Sequence, residues 1–187
     1  MKLKPALLIL VVAIGLVGVM SDGFRNPNIA AAQPLDTDTA ALKAQIDALR
    51  GLIPSQSHAM ADVDYHFANL WFAAKTSNWP LAEFYLNETR SHLNWAVRIR
   101  PVRRLSSGGE FDLRPMLQGV ENSSLADLKI SIDKHDHKAF ETAYRQTINA
   151  CYACHTAAEK PYLRPHIPEA PATRMIDLRP NAERKGT

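Results

Sequence analysis

Three prolines and the spacing between them set the outline of this chain. Pro54, Pro80 and Pro101 interrupt stretches whose apolar residues recur every three or four positions. Proline has no amide hydrogen and clashes with the preceding turn, so each one ends a helix or opens the next. Met60, Val63, Phe67, Leu70 and Ala74 predict a helix over 57–76, with these residues on one face. Leu81, Phe84, Tyr85, Leu93, Trp95 and Val97 predict another from Pro80 to about Ile99. A shorter helix with Leu42, Ile46, Leu49 and Leu52 precedes Pro54. The stretch "RIRPVRRLSSGGE" reads as a loop, with Gly108 and Gly109 as breakers. Residues 113–134 carry Leu117, Val120, Leu125, Leu128 and Ile132, and Gly119 and "NSS" divide them. A last helix opens at Asp136, a capping residue, and carries Phe140, Tyr144, Ile148, Cys151 and Cys154 to about Lys160. No alternating strand pattern and no internal repeat stand out. The expectation is an all-α chain folded as an antiparallel four-helix bundle.

With 187 residues, 46% of them hydrophobic, the chain is long enough for one domain with its own core. A net charge of +3 is too weak to argue for nucleic acid. Lys2 and Lys4 precede an apolar run from Ala6 to Met20. Such a run spans roughly 22 Å as a helix, short of the roughly 30 Å of a bilayer core. Its length and basic flank predict an export signal, and hence a periplasmic protein. Ala30–Ala32 offers a small-residue cleavage site, but one far from the run. An uncleaved anchor is the alternative, and the only membrane contact expected. The organisation expected is therefore 1–32 as signal peptide or anchor plus linker, 33–160 as the helical-bundle domain, and 161–187 as a Pro/Arg-rich tail. The five prolines of that tail forbid a long helix.

The only two cysteines, Cys151 and Cys154, lie three apart, and His155 follows at once. On a helix such positions share a face, so two thiols and an imidazole converge. C-x-x-C-H is the attachment pattern of c-type haem. The thiols add to the two vinyl groups on one edge of the porphyrin, and the imidazole turns under the ring to bind iron. Bacterial attachment of this kind takes place outside the cytoplasm, in keeping with an export signal. A disulfide, a redox dithiol and half a zinc site are the ordinary rivals. A redox pair opens a helix, where the dipole lowers the thiol pKa, whereas this pair comes late in one. Zinc needs further ligands, and there is no second cysteine pair. The expectation is one covalent haem c held by Cys151, Cys154 and His155.

A helical bundle with C-x-x-C-H close to its C-terminal end resembles the class II c-type cytochromes, the cytochrome c′ group. The resemblance lies in "FETAYRQTINACYACH", where Phe140 and Tyr144 precede the motif at helical spacing. It lies also in "MADVDYHFANL", whose His66–Phe67 matches a His-Phe pair of the family. It covers about residues 57–160. The long tail and the extra N-terminal helix depart from the family pattern. The resemblance implies that Met60, six residues before that pair, faces the distal side of the iron. It further implies that Phe67 and Tyr144 lie beside the cofactor, and that the chain pairs as a homodimer.

The residues agree on Met60, which shares an apolar stripe with Val63 and Phe67. His66 lies about 120° round the same helix and points elsewhere if Met60 faces the haem. A histidine and a methionine saturate the iron and suit it to electron transfer. The ordinary alternative for Met60 is a gap-filling core methionine. His66 is the second choice of ligand, and its own alternative is a hydrogen-bonded core histidine. His58, His92, His166 and Met175 are weaker choices, and Met175 reaches only if the tail folds back. His135 and His137 flank a charged turn and read as solvated. Arg98, Arg100, Arg103 and Arg104 follow a helix C-terminus, where the dipole favours cations. They also suit a docking patch or a clamp on haem propionates. Trp71, Trp79 and Trp95 read as packing. No acid–base constellation argues for an enzyme. The expectation is an exported mono-haem cytochrome passing single electrons between redox partner proteins. The rivals are a five-coordinate protein that binds nitric oxide or carbon monoxide, and a haem subunit of a larger oxidoreductase.

Overall fold

The computed structural model describes residues 35–181. The apolar run, the Ala30–Ala32 site and the last six residues lie outside these. No helix among the described residues is long and apolar enough to cross a membrane. The chain divides into two units at Ala48 and Leu49. The described part of the first is most of helix α1 (Leu35–Leu52), whose Leu42 and Ile46 are exposed.

The second unit is mostly helical. In chain order it holds α2 (Gln56–Lys75), α3 (Trp79–Ile99), a hairpin of β1 (Val102–Arg104) and β2 (Glu110–Asp112), then α4 (Leu113–Glu121), α5 (Ser124–Asp133) and α6 (His137–Ala157). The starts of three helices follow from local chemistry. Asn78, Asp112 and Asp136 each accept a hydrogen bond from a first-turn amide, those of Leu81, Arg114 and Ala139. Pro80 sits in the first turn of α3, where its missing amide hydrogen removes no helical bond. The region 113–134 is two helices, as Gly119 and "NSS" suggested, with Asn122 and Ser123 between them.

The loop expected at 101–112 contains a short antiparallel hairpin, with Arg103 opposite Phe111. Three-residue strands are too short to show alternation, which is why the sequence pattern missed them. Gly108 and Gly109 hold φ of 99° and 86° in its turn, a region that glycine enters without steric cost.

The core lies where α2 packs on α3, α3 on α5, α5 on α6, and α6 back on α2. Leu70, Leu86, Leu125, Leu128, Phe140 and Tyr144 are all fully buried there. Trp71 and Trp79 belong to the same cluster. The two histidines read as solvated are exposed, yet both rings lie on Trp79, His135 stacked at 5.2 Å and His137 tilted at 4.7 Å.

The segment after α6 docks on this core. Ile167 packs against it and Leu178 is buried in it. Asn69 Oδ1 accepts from the Thr173 amide. The Leu178 carbonyl accepts from Thr76 Oγ1 and Asn78 Nδ2. The backbone thus returns to the turn between α2 and α3.

Candidate functional site

Cys151, Cys154 and His155 lie near the end of α6, all half-buried, and line one large cavity. Met60 and Phe67, from α2, line the same cavity. Its volume is about 1190 Å³, above the range of about 300–1,000 Å³ usual for ligand pockets. Much of its wall is apolar, with Val63, Leu93, Val97, Leu117 and Val120. Arg50, Arg100, Arg103, Lys160 and Arg164 also line it, against a single acidic residue, Asp64. Two of the four clustered arginines therefore belong to the cavity, while Arg98 and Arg104 are exposed and do not line it.

Burial, and then the neighbouring Cys154, push the Cys151 thiol up to about 11. Burial raises Cys154 as well, opposed by Arg103. Thiols held in the protonated form at neutral pH are poor redox nucleophiles. That removes the support for a catalytic dithiol, as does the position of the pair late in α6.

His155 is oriented by the segment that follows it. Its Nδ1 lies 2.9 Å from the carbonyl oxygen of Leu163. A carbonyl only accepts, so Nδ1 carries the hydrogen, and in the neutral ring Nε2 keeps the lone pair. This is the arrangement in which metal-binding histidines are commonly held. Glu159, in the left-handed region at φ 59°, ends the turn after α6. Its carboxylate accepts from the amides and hydroxyls of both Ser106 and Ser107. Those bonds, Ser106 first and then Ser107, hold its pKa down at about 2. The β1–β2 hairpin, which carries Arg103, is thereby tied to the end of the motif helix.

Tyr144 does not reach the cavity wall. It is fully buried one layer behind, stacked on Phe67 at 4.2 Å and 3°, and its hydroxyl donates to the Phe67 carbonyl. It thus positions Phe67. His66 does not line the cavity either. It stacks on His92 at 4.9 Å, and burial, then His92, push its imidazole below the ordinary value. His58, His92 and His166 are likewise outside the lining. The tail folds back as Met175 would require, but Met175 itself is 94% exposed. Trp95 is half-buried, edge-on to His92.

Sequence reasoning missed Leu163, Arg164 and Glu159. Arg164 and the backbone of Leu163 were hidden in a stretch read as tail. Only their closeness to the motif in the chain could have flagged them.

The donor set fits a covalently held haem. Two thiols and an imidazole with a free lone pair share one cavity with a thioether, a donor that iron can also accept. The apolar wall suits a macrocycle, and the arginines suit its carboxylates. No protein-family profile, no curated protein and no solved structure matches the chain.

Proposed function

We propose that the chain is a divergent relative of the class II c-type cytochromes, an exported carrier of single electrons between redox partner proteins. In this reading α2, α3, α5 and α6 form an antiparallel four-helix bundle, and one haem c occupies the cavity lined by residues of α2, α3, α4 and α6. Cys151 and Cys154 hold it covalently, with His155 as proximal ligand and Met60 as distal ligand. The observation that carries the reading is the shared cavity: the C-x-x-C-H residues on α6 and Met60 on α2 open into one space.

When bound, the haem supplies a one-electron iron couple. The chain's residues set how it behaves. Leu163 fixes the tautomer and direction of the His155 ring through its carbonyl. Met60 lines the cavity with a thioether, which would favour the reduced metal and raise its potential. Val63, Leu93 and Val120 line the cavity and would exclude water from a bound macrocycle. Arg100 and Arg103 also line the cavity, and their guanidinium groups would pair with the carboxylates of a bound haem.

The test is absorption spectroscopy of the purified holo-protein, oxidised and reduced, with and without carbon monoxide, in wild type and Met60→Ala. The expected wild type is low-spin and indifferent to carbon monoxide, and the variant becomes high-spin and reactive. A high-spin wild type that binds carbon monoxide would overturn Met60 ligation and favour the gas-binding reading. A purified protein without haem would overturn both.

A further inference from the structure

We propose a second metal site, separate from the cavity, in which His66, Glu88 and His92 bind one divalent transition ion of the zinc class, with Asp62 as a fourth ligand at the rim. α2 and α3 pack along each other, and each contributes a carboxylate and an imidazole one helical turn apart. The pairs are Asp62 with His66, and Glu88 with His92. Positions four apart on a helix share a face, so the two pairs confront each other across the helix interface. The ligand atoms of His66, Glu88 and His92 all lie within 4.8 Å of one another. His92 Nε2 lies 3.7 Å from Asp62 Oδ2.

Tautomer and desolvation favour an ion. His92 Nδ1 donates to the Glu88 carbonyl at 2.9 Å and lies 3.9 Å from Glu88 Oε2, while Nε2 keeps its lone pair and lies 3.7 Å from Asp62 Oδ2. One ring turn about χ2 therefore lets either nitrogen meet an ion held by the two carboxylates. His66 Nδ1 is buried and has no hydrogen-bond partner. Such an atom is uncommon, because desolvating an unpaired nitrogen destabilises the fold. Tyr65, Phe84 and Tyr85 surround the His66 ring, which lowers the local dielectric and strengthens any charge held there. Two neutral imidazoles and two carboxylates balance a dication. Tetrahedral coordination at about 2.0–2.1 Å needs ligand atoms roughly 3.3 Å apart. The shell therefore contracts by roughly 1.5 Å on binding, which side-chain rotation at a half-buried helix face allows. Imidazole with carboxylate suits Zn²⁺ and its neighbours over Mg²⁺ or Ca²⁺, which prefer oxygen alone. None of the four residues lines the cavity, so this site does not depend on the haem reading.

The test is Zn²⁺ titration of chelator-treated full-length protein against a competing chromophoric chelator. It is run in wild type, His92→Ala, Glu88→Gln and His58→Ala. The same set is repeated in a Cys151→Ser/Cys154→Ser background, which removes uptake by the thiols. Glu88→Gln keeps the side-chain shape, and circular dichroism checks that each variant is folded. The expected result is one Zn²⁺ per chain in both backgrounds. It is bound roughly tenfold or more weakly in His92→Ala and Glu88→Gln and unchanged in His58→Ala. Zn²⁺ raises the melting temperature only where it binds. No uptake in the cysteine-free background, or equal affinity in all variants, overturns the site.

Discussion

Tyr144 holds Phe67 against the cavity by two means, a stacked ring and a hydrogen bond to the Phe67 carbonyl. The Phe67 carbonyl lies within α2 and keeps its helical partner, so the buried hydroxyl adds a second donor to it, and what the core loses without that donor is one net hydrogen bond. Tyr144→Phe keeps the ring and removes the donor, so it costs about 1 kcal/mol, read as a lowered denaturant midpoint with unchanged slope. In the proposed holo-protein the spectrum stays as in wild type, because the hydroxyl faces Phe67 and not the cavity. Cys151 has a pH signature in protein prepared without cofactor. Its thiol ionises near 9 when unfolded and is pushed up to about 11 in the fold. Between those values the unfolded chain has lost a proton that the folded chain keeps, so stability falls as pH rises. It is fully present below about 9. Denaturation of the cofactor-free chain at pH 8 and 10, against Cys151→Ser, checks this: the wild type loses stability across the interval and the variant loses less.

At the scale of elements, the β1–β2 hairpin depends on one residue outside it. Glu159 is fixed at the end of α6 and takes four hydrogen bonds from Ser106 and Ser107. Its folded pKa of about 2 lies below the ordinary carboxylate value. The stabilisation is therefore complete above about 4.5 and is lost as pH falls through about 2. Amide exchange at Ser106 and Ser107 should be slow at pH 5 in wild type and fast in Glu159→Gln. Equal exchange rates would show that the hairpin stands without this tie. The start of α6 gives a simpler case. Asp136 accepts from the Ala139 amide, and Asp136→Ala costs about 1 kcal/mol of stability, measurable as a drop in melting temperature.

At the scale of the molecule, residues 161–181 act as a strap that both stabilises the helices and orients His155. Leu178 is buried in the core, and the Leu163 carbonyl receives the His155 ring hydrogen. A tail free of the domain could be deleted with the haem spectrum intact. The docked strap predicts otherwise. Removing residues 161–187 should lower the melting temperature and also shift the spectrum and reduction potential of the holo-protein, because His155 loses its acceptor. A deletion that leaves spectrum and potential unchanged would show that another acceptor takes over.

The helices and the motif were legible in the order of residues, because both are local. Pro54 and Pro80 bracket α2 through their own backbone chemistry, and Asp136 opens α6 three residues from the amide it caps. Cys151, Cys154 and His155 share a face by helical geometry alone. Tertiary structure decided everything that depends on residues far apart in the chain. It brought Met60 into the cavity of Cys151, stacked Tyr144 behind Phe67 and away from the cavity wall, and left Met175 exposed. It also placed His66 of α2 against His92 of α3. Such meetings depend on how helix faces rotate and pack, and a periodic pattern gives the width of a face but not its partner.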